Sequence, residues 1–330
     1  AGGPAVSARR PARQSGTALL SVLLMAALMG VLVVAMLDDI RFGLRRTANA
    51  DAMAQAQRFA LGAEALARRK VAALAREDVA VAAWNGRPLA FPVEHGLVRA
   101  RLRDGSDCFN LNSVVEGAAG QWRRRELGVR QYVALLQALD FSAAQAQALA
   151  DALADWIDSD HRRAPLGAED GSYAALQPPY RTGGTLLAEA SELRAVQGYT
   201  PPVYARLRPY VCALPRPDLS PVNVNALTPA RAPVLSMLTL GALTPAQARR
   251  VLESRPARGW RDAAAFWADP ALLQAPVPNE VYDQVSLRSH WFVLDAEVEY
   301  AGAQVVLSAL LEQDGSREAR LAARRWTRDE

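Results

Sequence analysis

The hydrophobic pattern of the chain begins with an uncharged run from Thr17 to Leu37. Its 21 residues would make a helix about 31 Å long at ~1.5 Å per residue, enough to cross the hydrocarbon core of a bilayer. No break follows. Residues 38–75 contain no proline and are rich in Ala, Leu, Arg, Gln and Glu, all good helix formers. Phe59, Ala63, Leu66, Ala67, Val71 and Leu74 recur at three- and four-residue spacing, which marks an amphipathic helix. The pattern predicts one helix over 17–75, half in lipid and half packed on a soluble body. Gly43 is where two separate helices could meet instead.

Beyond residue 75 the period changes repeatedly. "LVRARLRD" alternates Leu97, Arg99, Arg101 and Arg103 with Val98, Ala100 and Leu102, and Asp104-Gly105 is a turn signal before "CFNLN". Residues 78–115 therefore read as a short antiparallel set. Residues 125–210 read as helical. Ser142 with Gln145 three residues on forms a capping box, followed by an apolar stripe of Leu149, Leu153, Trp156 and Ile157. Residues 220–285 read as helical again, with Thr228-Pro229 and Thr244-Pro245 as caps followed by proline at the first helical position. Residues 288–326 return to strands through "HWFVLDAEVEY", an Ala301-Gly302 turn, "AQVVLSALLEQ", an Asp314-Gly315 turn and "REARLAARRWT". Strands flanking a large helical insertion make an α+β chain, with the two strand groups joined in one sheet. The expected divisions are a leader over 1–16 and the long helix over 17–75. The first part of the α+β body follows over 76–120, and the helical insertion over 121–210. A strand return with a second helical segment spans 211–285, and the C-terminal strands span 286–330.

Charge fixes orientation. Arg9, Arg10 and Arg13 precede the apolar run with no acid among residues 1–16, and Asp38 and Asp39 follow it. Cations stay on the cytoplasmic side, so the body is expected outside the inner membrane as a single-pass, periplasmic domain. The net charge of +4 falls to +1 without the three leader arginines, so the basic balance is no sign of a nucleic-acid surface. About 290 residues remain beyond the anchor, enough for two domains of ordinary size. Cys108 and Cys212 are the two cysteines. An oxidising compartment allows a disulfide between them, and two buried thiols are the other possibility. Two cysteines so far apart do not resemble a zinc site. The three histidines, His95, His161 and His290, accompany no nucleophile motif, and no enzyme is expected.

A basic leader ending in Gly16, then an uncharged run continuing into a soluble helix, resembles the N-terminus of type IV pilins and type II secretion pseudopilins. "RRTANADAMAQAQRFALGAEALAR", "FNLNSV", "LADWIDSDHRRAPLGAEDGSYAALQPPYR", "ASELRAVQGYTPPVYARLRPYVCALP" and "PVNVNALTPA" together resemble the protein K family of type II secretion. The resemblance implies cleavage by a prepilin peptidase between Gly16 and Thr17. It also implies assembly with other minor pseudopilins at the tip of a pseudopilus, with residues 17–37 kept in the inner membrane. Pilins usually carry Phe first and Glu fifth in the mature chain, where Thr17 and Ser21 stand here. Absence of the glutamate is a known feature of protein K. The glutamate would neutralise the α-amino cation of a neighbour stacked above, a need that a tip subunit lacks.

Asp155, Asp158, Asp160, Glu169 and Asp170 fall within 16 residues around a Gly- and Pro-containing loop. Clustered oxygens suit calcium, though the spacing is not an EF-hand, and a solvated acidic loop is the plainer reading of the residues themselves. The family resemblance implies a calcium site, with Glu169 and Asp170 as first candidates and Asp158 and Asp160 next. One other resemblance competes. Residues 221–270 are similar to the helix-hairpin-helix of competence DNA receptors, but the hairpin "TLGALTPAQA" has Gly241 alone where Gly-x-Gly is expected. Binding to nucleic acid is accordingly not expected.

Overall fold

The computed structural model describes residues 15–77 and 80–327, with side chains from Thr17 onward. The leader reading over 1–16 falls almost wholly outside the described residues. Helix α1 runs unbroken from Ser15 to Arg76. Gly43 does not interrupt it, since a single glycine among strong helix formers costs only about 1 kcal/mol. Among the described residues α1 is the one helix long and apolar enough to cross a membrane. Its apolar residues from Leu19 to Leu37 are all exposed, as a lipid-facing helix requires.

Next come β1 (Pro88–Val93) and β2 (Gly96–Asp104). The chain then leaves the sheet. In the excursion, β3 (Phe109–Asn110) pairs in parallel with β6 (Val211–Cys212). The hairpin of β4 (Val115–Ala118) and β5 (Gln121–Arg124) leads into α2 (Glu126–Ala138) and α3 (Ala143–Ile157). Then follow α4 (Asp170–Ala174), α5 (Pro201–Leu207), α6 (Ala232–Leu238) and α7 (Pro245–Glu253), with short β7 (Val222–Asn223) parallel to β8 (Val285–Ser286). The chain returns as β9 (Trp291–Tyr300), β10 (Ala303–Glu312) and β11 (Arg320–Arg325). Five strands form one antiparallel sheet in the order β1-β2-β9-β10-β11, so the two expected strand groups do join.

"CFNLN" does not belong to the first antiparallel set. Asn110 and Asn112 pull it away. The Asn110 side chain donates to the carbonyls of Arg216 and Asp218 and accepts from the amides of Asn112 and Leu214. Asn112 bonds both N–H and C=O of Leu187 and the carbonyl of Leu214. Each carboxamide thus replaces a peptide partner, and the segment becomes the knot on which the excursion is wound.

The molecule has two cores. Ala56, Ala60, Ala67, Val71 and Leu74 of α1 pack on Val98, Leu102, Leu294, Ala296, Val298, Leu307 and Ala309 of the sheet. A second cluster runs continuously from Phe109 to Val281 through α2, α3, α6 and α7. Polar contacts join the two. Arg288 donates to the carbonyl of Ala75, which mounts the helical part on the end of the sheet beside the C-terminus of α1. Arg216 and Arg320 both pair with buried Glu312. Arg325 pairs with Glu189 at 2.6 Å. Cys108 and Cys212 are joined by a disulfide, with Cα atoms 5.8 Å apart, that closes the neck of the excursion.

At the junction Asp104 is fully buried. Its Oδ1 accepts from the amide and hydroxyl of Ser106, and its other oxygen accepts from Ser289, which in turn accepts from Asn223. Burial outweighs those bonds and pushes its carboxyl from 3.8 up to about 6. A raised carboxyl favours the folded state most fully below pH 3.8, and that contribution is lost as pH rises through 6. Stability of detergent-solubilised protein, compared with the Asp104→Asn variant by urea denaturation, should therefore fall by an extra ~2–3 kcal/mol in wild type between pH 4 and pH 7. Parallel pH profiles for the two proteins would show that Asp104 carries no such shift.

Candidate functional site

The acidic segment is built on α3. Asp151 and Asp155 lie one turn apart on one face, and Asp158 caps the helix C-terminus. The first two hold the following loop. Asp151 pairs with Arg124 at 2.9 Å, accepts from Gln147 and accepts from the amide of Leu166. Both oxygens of Asp155 accept from the amide of Ala164. Burial, the largest cause, pushes the Asp155 carboxyl up to about 6. Arg163 donates back to the carbonyl of Gly167, tightening the turn. A side chain at Gly167 would place Cβ 2.0 Å from an Asp155 oxygen, so glycine here is what lets the loop close on the helix.

That closure brings Asp158, Asp160 and Glu169 together. One oxygen from each lies within 4.8 Å of the others. Asp158 and Glu169 are buried, while Asp160 is exposed. Oδ1 of Asp158 and both oxygens of Glu169 are shut from solvent and accept no hydrogen bond. Burial, and then the charges of Asp160, Asp155 and Glu169, push the Asp158 carboxyl up to about 7. Burial and Asp155 raise Glu169 in the same way. Buried carboxylate oxygens without donors are costly unless a cation compensates them. Three convergent carboxylates at this spacing fit a hard divalent ion, whose ~2.4 Å ligand bonds allow oxygens up to ~4.8 Å apart.

Asp170 is separate from this group. Its Oδ1 accepts from both the amide and hydroxyl of Thr182, which hold its carboxyl below the usual range. It fastens the far end of the loop. Asp151 was not among the sequence candidates, although its four-residue spacing from Asp155 on one helix face is the signal that could have found it. Behind the loop, Trp156, Tyr173 and Tyr180 form a cluster of mutually contacting rings, with Trp156 edge-on to Tyr173 at 5.1 Å.

The hairpin between α6 and α7 is unsuited to phosphate. Its amides from Leu240 to Thr244 donate in turn to Met237 O, Ser236 O, Thr239 O, Thr239 Oγ1 and Gln247 Oε1. Phosphate recognition by such a hairpin needs free backbone donors. Three of the nearby arginines are also engaged. Arg255 donates to the carbonyls of Val224, Asn225 and Leu227, Arg249 pairs with Glu253, and Arg261 pairs with Asp262.

Comparison with known proteins identifies the family. Family models of type II secretion system protein K match residues 107–216 and 222–288. Type II secretion system protein K of Aeromonas hydrophila is 36% identical over 304 residues, covering 89% of this chain and 88% of that protein. The chain belongs to the type II secretion system protein K family. The Klebsiella pneumoniae member is 36% identical over 311 residues, covering 92% of this chain and 94% of its own. The crystal structure of the GspK-GspI-GspJ complex from the enterotoxigenic Escherichia coli type 2 secretion system contains a chain that matches with a TM-score of 0.73. That chain is 29% identical, and the match covers 85% of this chain and 98% of that one. Protein K members are minor pseudopilins, and the competence-type reading has no support.

Within this protein K chain, Gly167→Ala should loosen the acidic loop by pushing on the Asp155 carboxylate that holds it, while Asp158, Asp160 and Glu169 stay in place in the sequence. We expect a loss of ~1–3 kcal/mol from the clash with Asp155, read as a lower thermal midpoint. An unchanged midpoint would mean that the loop does not close on α3 as described.

Proposed function

We propose that this chain is the tip subunit of a type II secretion pseudopilus, assembled with other minor pseudopilins and performing no chemistry of its own. The observation that carries the reading is where the helical part is mounted. It sits beside Ala75, at the end of α1 farthest from the apolar segment 17–37. A 62-residue helix is about 93 Å long, so the bulk of the protein is held far from the membrane, where it obstructs any subunit stacked above. The N-terminal end supports the same place. Ser21 donates its hydroxyl to the carbonyl of Thr17 inside the helix and offers no carboxylate to a neighbour's terminal amine. The solved relative lies in a complex named for GspK, GspI and GspJ, and partners of that kind are assigned here.

In this reading a prepilin peptidase cuts between Gly16 and Thr17, residues 17–37 stay in the inner membrane and the body is periplasmic. Sequencing of membrane-extracted protein should begin at Thr17, and other minor pseudopilins should co-purify with it. An intact leader, or a chain recovered alone from secreting cells, would sink the assignment.

Calcium is the ion that the acidic loop would hold, through Asp158, Asp160 and Glu169. Bound there, it neutralises carboxylates that otherwise repel one another, and so orders residues 158–170. Ion binding to the folded state alone stabilises by RT ln(1 + [L]/Kd), about 2.7 kcal/mol at a hundredfold excess over Kd. The thermal midpoint should rise with millimolar calcium, and the rise should vanish in Asp158→Asn and Glu169→Gln. A wild-type midpoint indifferent to calcium would leave the cluster a solvated acidic loop.

A further inference from the structure

A cleft of about 310 Å³ opens at the joint between the two cores, and no residue of the acidic loop lines it. One wall comes from the sheet, through His290 and Trp291 where β9 begins and Glu312, Gln313 and Asp314 where β10 ends. The other wall is the stretch 214–221 that follows β6 in the helical part. Both walls are held before anything binds. Asn110 accepts from the amide of Leu214 and donates to the carbonyls of Arg216 and Asp218, which fixes the backbone that carries Asp218. The amide of Gln313 donates to the carbonyl of His290, and Asp314 accepts from the amide of Ser316.

The cleft holds more acceptors than donors. Its lining carries three carboxylates, Asp218, Glu312 and Asp314, against Arg216 and the imidazole of His290. Glu312 is answered twice, by Arg216 and by Arg320. Bonds from Ser316 hold the Asp314 carboxyl below the usual range, and Arg320 adds to this through space while pairing with Glu312. Asp218 and Asp314 have no ion pair of their own among the described residues. Gln313 is 5% exposed; its Nε2 donates to the carbonyl of Ser316, and its Oε1 accepts nothing. A buried carbonyl without a donor is costly, so this lining calls for a group that brings N–H donors and positive charge.

Size and shape narrow the occupant. The volume equals about ten waters at ~30 Å³ each, too little for a helix ~10–12 Å across and enough for one long side chain. Trp291, Leu214 and Leu219 supply an apolar flank for its stem. An arginine matches, with an apolar stem and a planar head whose five N–H donors suit two carboxylates and a carbonyl. Lysine brings three donors and no plane to lay against an aromatic ring. Arg216 shows the pairing in the same cleft but does not fill it, since its guanidinium goes to Glu312 and 52% of its side chain stays exposed. Free arginine would carry its own carboxylate to an acidic lining, so the side chain arrives on a peptide backbone.

We propose that the cleft at the joint receives one arginine side chain presented by a protein partner. The site rests on neither the calcium reading nor the tip reading.

The probe is the blocked peptide acetyl-Gly-Arg-Gly-amide, titrated against the full-length chain in detergent and followed by saturation-transfer NMR. Saturable binding at millimolar peptide is expected, with none for the matched glutamine peptide and at least threefold weaker binding for the lysine peptide. The double variant Asp218→Asn with Asp314→Asn changes exposed side chains, should keep the wild-type melt and should weaken the arginine peptide at least tenfold. Asp218→Asn alone, at a carboxylate in no ion pair among the described residues, should weaken it at least threefold and serves if the double variant melts early. Glu94 is exposed in the turn between β1 and β2, at the opposite end of the sheet, and Glu94→Gln should leave binding unchanged. Silence of the arginine peptide, undiminished binding in the aspartate variants or an equal loss in Glu94→Gln would each overturn the site. Equal binding of free L-arginine would overturn the assignment to a protein partner.

Discussion

The seam between α1 and the sheet is the contact from which everything else hangs. Small side chains, Ala56, Ala60 and Ala67, let the helix lie close on Ala296, Val298, Leu307 and Ala309. Apolar packing of this kind is nearly indifferent to sliding along the helix. The pair of buried Glu64 with Arg324, two bonds of 2.6 and 2.8 Å, is not. Separating such a pair leaves a carboxylate without its cation in an apolar seam, a loss of roughly 3–5 kcal/mol. The pair therefore fixes how far along α1 the body sits, and so its distance from the apolar segment 17–37.

From that seam the helical part is carried by a different kind of contact. The two cores do not merge, and the joint between them is polar. Asp104, Ser289 and Asn223 form one chain of hydrogen bonds, Glu312 of the sheet holds Arg216 of the helical part, and the disulfide closes the neck. Polar contacts are directional where apolar ones are not. The joint thus sets the orientation of the helical part on the sheet, while each core supplies its own stability.

Much of this was legible in the sequence, for physical reasons that differ by segment. The strands β2, β9 and β10 and the second half of the long helix follow from periodicity, because each buries one face, and the first half of the helix follows from its uncharged apolar run. The departure of "FNLN" from the sheet was not legible. Asn110 and Asn112 satisfy backbone groups more than seventy residues away, and nothing local signals such partners. The acidic loop was half legible. Composition located it, but only the fold separates Asp158, Asp160 and Glu169, which converge, from Asp170, which Thr182 engages. Asp151 and Asp155 anchor the loop, and the role of Asp155 depends on Gly167 lying against it.

Hydrogen-bond satisfaction separates the two loops that resembled binding sites. A site must have groups that the chain itself leaves without partners. In the hairpin between α6 and α7 the amides from Leu240 to Thr244 are used internally, so a phosphate would have to displace bonds the fold already makes. In the acidic loop, Asp158 and Glu169 are buried with oxygens that no donor meets. Resemblance to a motif records the path of a backbone. Capacity to bind is set by which polar groups that path leaves unsatisfied: the acidic loop leaves buried carboxylate oxygens without donors, and the hairpin uses each amide from Leu240 to Thr244 internally.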